Sequence, residues 1–228
     1  GDARKKYLRV EGGSAVTATF GAPRHWWWSP EGSFTVARRY GGSGREAALV
    51  QTLRPSSRWQ IDVESRYTEE HGFERYQATL PAPAPAAGQG PGIPVVARRD
   101  LGKLEQLMRV SHTFSTKLSL QVFLQGLAAA WEFGSPRYYG DDRTRAPGLP
   151  DGAARPPSRF GSRALNANAI LRWEFRSGST AYLVYTRGAS DETASSANGR
   201  VRPFGDLARL GRLRGDDVLQ LKVSWLLR

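Results

Sequence analysis

Between Leu165 and Arg176 apolar and polar residues alternate without a break. Leu165, Ala167, Ala169, Leu171, Trp173 and Phe175 fall on one side, and Asn166, Asn168, Ile170, Arg172, Glu174 and Arg176 on the other. Successive side chains of a β-strand point to opposite faces, so this run predicts a strand with one apolar face and one polar face. Ser177-Gly178 supplies a turn, and a second β-prone run from Thr180 to Thr186 completes a hairpin. Such a hairpin suits either a soluble sandwich or barrel with its apolar face inward, or a transmembrane barrel with that face outward to lipid and charges within.

The same pattern recurs along the chain. In 58–67, Trp59, Ile61, Val63 and Tyr67 share one side, while Arg58, Gln60, Asp62, Glu64 and Arg66 share the other. Leu118, Leu120, Val122 and Leu124 form the apolar side of another run that continues to Phe133, with Gly126 as a candidate bulge. Leu104 to Phe114 places Met108, Val110 and Phe114 together, and Val218 to Arg228 alternates Leu219, Leu221, Val223, Trp225 and Leu227 with Gln220, Lys222, Ser224 and Arg228. Nearer the start, Tyr7–Phe20, Ser33–Tyr40 and Arg45–Arg54 read as strands, with Ser29-Pro30-Glu31-Gly32 as a turn and Gly41–Gly44 as a flexible joint.

Connection lengths add a second constraint. The turns at 54–58, 115–117 and 176–179 are tight, whereas those at about 71–100, 134–163 and 188–215 are long, the last with a helical turn near Phe204–Leu210. Short and long loops in alternation are the two ends of an up-and-down barrel. The fold class expected is all-β, a single antiparallel up-and-down transmembrane barrel domain over 1–228, eight or nine strands in all. The chain opens at Gly1 without a Met and reads as a trimmed product or a fragment of a larger barrel.

Composition narrows the function. The longest apolar runs, such as Leu127–Trp131, fall far short of the ~20 residues of a membrane helix. With no cysteine there is no disulfide frame and no thiolate chemistry. The formal net charge of +12 admits a polyanion partner, but the basic residues are scattered and form no Lys/Arg block. His25, His71 and His112 are far apart and show no metal-binding spacing, and no serine sits in a nucleophile elbow. No enzyme activity, metal or cofactor is expected.

The candidate residues follow from this pattern. Asp62, Glu64, Arg66, Arg172, Glu174 and Arg176 would line a lumen. Trp26, Trp27, Trp28, Trp59, Trp173 and Trp225 would sit at membrane interfaces, where indoles favour the headgroup level. Tyr138, Tyr139, Asp141 and Asp142 are loop candidates for ligand contact. Two other readings stay open: a soluble basic β-protein that binds a polyanion through Trp26–Trp28 and nearby Arg, and an outer-membrane hydrolase built on His112.

Three blocks, Leu101–Gln125 (LGKLEQLMRVSHTFSTKLSLQVFLQ), Asn166–Thr186 (NANAILRWEFRSGSTAYLVYT) and the closing LQLKVSW, resemble the C-terminal barrel of domain of unknown function family 5916. These are large bacterial outer-membrane proteins that often carry a family-9-type carbohydrate-binding domain. That domain is missing here, the chain is several times shorter than family members, and Ser177 stands where the family usually has Pro. The resemblance implies the last eight or nine strands of a porin-like barrel in a Gram-negative outer membrane, with no catalytic residues to transfer. Its implied partners are the bilayer and its lipopolysaccharide, the barrel-assembly machinery and a carbohydrate or other small solute, with no nucleic acid.

Overall fold

The structure is a computed structural model and describes residues 12–39, 41–80, 93–139, 145–147, 157–194 and 209–226. Asp141 and Asp142, the run from Tyr7 to Glu11, the 81–92 loop, Phe204–Ala208 and the last two residues lie outside the described residues.

The described chain is one antiparallel sheet. Its strands are β1 (Ser14–Gly21), β2 (Trp28–Arg39), β3 (Gly42–Leu53), β4 (Trp59–Leu80), β5 (Ile93–Ser115), β6 (Leu118–Phe133), β7 (Arg137–Tyr139), β8 (Arg145–Pro147), β9 (Arg159–Arg176), β10 (Ser179–Ala194) and β11 (Gly215–Ser224). Nine of them run up and down in the order β1-β2-β3-β4-β5-β6-β9-β10-β11; β7 pairs with β5 and β8, off that path. Among the described residues β1 and β11 do not pair, so the sheet is open and has two free edges, not the closed barrel expected from the sequence. Alternation fixes which way each strand faces but carries no information about which edge meets which.

One tight end of the sheet carries the connections 22–27, 54–58, 116–117 and 177–178. The opposite end carries 40–41, 81–92, 134–158 and 195–214. The long connections are narrower than the sequence suggested, because β4 and β5, of 22 and 23 residues, run well beyond the alternating stretches. Past Glu69 polar and apolar residues mix on both sides, and irregularities between Glu70 and Phe73 and between Tyr76 and Ala78 break the period of two, so sequence alternation fades while pairing continues.

Near the start, Trp28–Gly32 is strand and not a turn, and Gly42–Gly44 belong to β3. Pro30 is tolerated because β1 has ended at Gly21, so no ladder bond on that side needs its missing N–H. Gly41, at φ 71°, makes the two-residue turn itself. Gly126 is no bulge: it pairs in register with Gln106 and Leu165. After the β9–β10 turn an irregularity at Ser179/Thr180 puts Ala181, Leu183 and Tyr185 opposite Trp173, Leu171 and Ala169.

Buried apolar side chains are few and lie toward the long-loop end. Leu210, with Leu213 beside it, covers Leu165, Ala189 and Leu124, while Val95, Val96 and Ala97 are buried where β7 joins β5.

Candidate functional site

The registers assign every strand residue to one of two faces. Along one row, Leu219, Leu221 and Val223 of β11 oppose Tyr185, Leu183 and Ala181; these oppose Ala169, Leu171 and Trp173, which in turn oppose Val122, Leu120 and Leu118. The row continues through Val110 and Met108 to Ile61 and Val63. It reaches Phe34 and Val36 of β2 and Ala18 and Val16 of β1 by way of β3. One face is thus apolar from edge to edge.

That face is bare. Val16 is 75% exposed, Leu219 69%, Leu221 70%, Trp173 53% and Val223 53%. Large exposed apolar patches on monomeric soluble proteins rarely exceed a few hundred Å², and this one spans nine strands.

The band has defined borders. At the tight end stand two aromatic groups: Trp59, His112 and Phe114, with ring centroids 3.8 and 4.3 Å apart, and Trp173, Phe175 and Trp225, at 5.7 and 5.1 Å. At the other end the same face carries ion pairs: Arg45 with Glu69 (3.6 Å), Arg159 with Glu132 (2.8 Å) and Arg187 with Asp217 (2.8 Å). Tyr185 donates its hydroxyl proton to Asp217, and Arg187 pairs with the same carboxylate. On β9 the band runs from Leu165 to Phe175, ten steps, or about 34 Å of strand at ~3.4 Å each and about 26 Å of height at a ~40° tilt. Its one polar row is internally satisfied at Ser65 and Gln106: Ser65 Oγ donates to Gln106 Oε1 (2.8 Å), and Gln106 Nε2 donates to the Glu64 carbonyl (3.1 Å).

The opposite face collects the charges. Asp62, Glu64 and Arg66 share it with Glu46, Lys103, Glu105, Arg109, Arg172 and Glu174. Arg66 sits 3.6 Å from Glu64 and 3.9 Å from Glu46; Lys103 lies 2.8 Å from Glu105, and Arg172 3.3 Å from Glu174. Asp62 accepts from Thr52 Oγ1 (2.7 Å) and Gln60 Nε2 (2.8 Å). Of these ion pairs only Arg66–Glu46 joins two strands, a cross-strand pair worth a few tenths of a kcal/mol; the others link residues two apart on one strand and leave the surface hydrophilic. Arg176 lies at the β9–β10 turn, where it pairs with Ser179. Five of the six lumen candidates therefore form ion pairs or hydrogen bonds across this face.

Of the interface candidates, Trp28, Trp59 and Trp173 stand on the apolar face, and Trp225 stacks on Phe175 of that face just past the end of β11. Trp26 and Trp27 lie in the 22–27 connection at the same end and are exposed. Tyr138 and Tyr139 form β7 at the far end. His112 is held between Trp59 and Phe114, and its direct cross-strand partners are Trp59 and Leu120, with no serine opposite it. Among the described residues no group of acidic, His or Cys side chains could hold a metal, and no helix is long and apolar enough to cross a membrane.

Sequence reading missed Glu46, Lys103, Glu105 and Arg109 as members of the polar face, because their own strands show weaker alternation. The register with β4 is the signal that places them. No family model matches the chain, and no curated protein or solved structure matches it.

Proposed function

We propose that this sheet is part of the wall of a transmembrane antiparallel β-barrel in a Gram-negative outer membrane, with its apolar face in lipid and its ion-paired face toward an aqueous lumen. Its role is non-enzymatic, the passage or surface binding of a solute. The observation that carries the reading is the largely exposed apolar face itself, continuous over nine strands, covered by Leu210 only at its long-loop end and bordered by aromatics at one end and ion pairs at the other. A soluble sheet hides such a face against a second layer. A barrel in lipid has no need of one, and the band's height of about 26 Å matches the ~25 Å apolar belt of outer-membrane barrels.

The three sequence blocks resembling family 5916 support the same location. By this reading the tight end faces the periplasm and the long connections face outward. The test is insertion into vesicles whose acyl chains carry bromine, which quenches nearby indoles. Trp173 and Trp225 fluorescence should fall strongly, whereas Trp131, on the other face, should change little. Equal quenching of all three, or none in any, overturns the assignment.

A further inference from the structure

The polar face is not uniform. Charged residues crowd β4 and β5, whereas from Ser119 to Ala129 β6 presents to that face only Ser119, Gln121, Phe123, Gln125, Leu127 and Ala129. Across from them stand Ile170, Asn168 and Asn166 of β9, and beyond these Val184, Thr186 and Gly188 of β10. The register sets Gln125 directly opposite Asn166, and Phe123 directly opposite Asn168. Gln121, Gln125 and Asn166 are exposed and carry no side-chain hydrogen bond among the described residues, while Asn168 Nδ2 donates to Thr186 Oγ1 (3.1 Å). Gly188, facing Asn166, leaves open space: a side-chain carbon built on it would meet nothing nearer than Asn166 Oδ1 at 3.9 Å.

We propose that Gln121, Phe123, Gln125, Asn166, Asn168 and Thr186 form a binding patch for a neutral polyhydroxylated solute. The inference rests on the barrel reading for its access from the lumen but not for its chemistry. Each carboxamide offers two N–H donors and a carbonyl acceptor without a charge. A sugar hydroxyl is donor and acceptor at once, so a field of amides satisfies it in either sense, whereas the carboxylates and ammonium groups of β4 and β5 each offer one sense only. Phe123 in the middle supplies an apolar ledge for the C–H face of a pyranose, and the Arg109 guanidinium lies 5.7 Å from the Phe123 ring centroid. Three strands at ~4.8 Å spacing and five residues at ~3.4 Å give a patch of about 15 by 15 Å with its side chains, the footprint of two or three sugar rings.

Titration of the full chain in lipid nanodiscs with maltotriose, followed by calorimetry, tests this, with trigalacturonate as the charged counterpart. Maltotriose should bind. Gln125→Ala with Asn166→Ala should weaken it at least fivefold, and so should the size-preserving pair Gln125→Glu with Asn166→Asp. Arg24→Gln, in the 22–27 connection far from the patch, should leave it unchanged. Absence of maltotriose heat, equal affinity for trigalacturonate, or affinity indifferent to both double variants overturns the proposal. Bromolipid quenching of Trp173 in the same samples reports insertion separately, so inserted protein that ignores maltotriose refutes the patch alone, and soluble protein that binds it refutes the barrel alone.

Discussion

Replacing Leu221 by arginine separates the two environments open to the apolar face. Leu221 sits mid-band on β11, opposite Leu183, and is 70% exposed in the isolated sheet. In water, therefore, only about a third of its burial energy is at stake. With ~1.5–3 kcal/mol for a fully buried leucine, the loss is about 0.5–1 kcal/mol, and arginine's methylenes recover part of it. In a bilayer the same position faces hydrocarbon, and an arginine near the midplane costs about 2–4 kcal/mol. The two environments thus differ by a factor of about four or more. The assay is reversible urea unfolding of the chain folded into phosphatidylcholine vesicles, followed by tryptophan emission, with Leu171→Arg as a second probe and Arg172→Leu as the opposite-face control. Leu221→Arg should destabilise by about 2–4 kcal/mol and Arg172→Leu by less. A cost below about 1 kcal/mol for Leu221→Arg, or a larger cost for Arg172→Leu, would refute the inside-out polarity.

Gly178, at φ +79° in the β9–β10 turn, should not accept a side chain: Gly178→Ala places a Cβ 2.6 Å from Leu226 Cδ2 in a left-handed conformation, and a loss of at least about 1–2 kcal/mol is expected in the same unfolding assay. Gly32→Val should displace the Phe20 ring, which lies 2.3 Å from where a Cβ would stand, and so lower the protection of β1 amides in hydrogen exchange. Asp217→Asn removes the carboxylate that Tyr185 and Arg187 share. The variant should lower stability in the same unfolding assay, and unchanged stability would show that the shared carboxylate contributes nothing.

What could be read from the sequence was polarity, strand by strand. Leu165–Arg176 and Trp59–Tyr67 announce their faces because both faces are strongly marked, and their structure follows the period of two. Where one face is weakly marked, the strand was shortened or missed. Ile93–Gly102 belongs to β5 but mixes Val, Ala, Arg and Asp, and β7 and β8 are three residues each, too short for any period to register. The Pro30 region read as a turn because a Pro-Glu-Gly signal is local, whereas its acceptance in β2 depends on where β1 stops. The amide patch was invisible for a different reason. Gln125 and Asn166 are forty-one residues apart, and only the β6–β9 register brings them face to face.

Polarity also constrains how such a wall can close. Neighbours alternate in direction along the nine-strand path, so the first strand, β1, and the ninth, β11, run the same way. Both present exposed apolar side chains, Val16 and Phe20 on β1 and Leu219, Leu221 and Val223 on β11, beside outer edges that pair with no strand among the described residues. In hydrocarbon each unpaired N–H or C=O costs several kcal/mol, which makes a free edge far more expensive there than any single side chain on the band. Both edges must then be paired in lipid, yet β1 and β11 cannot pair antiparallel with each other. Antiparallel closure demands an odd number of further strands between them, which restores the even count of bacterial single-chain barrels. Cysteines at Ala18 and Leu221 should accordingly form no direct crosslink within one folded, membrane-inserted barrel, and an efficient Ala18→Cys/Leu221→Cys disulfide would show instead that the wall closes through a parallel pair.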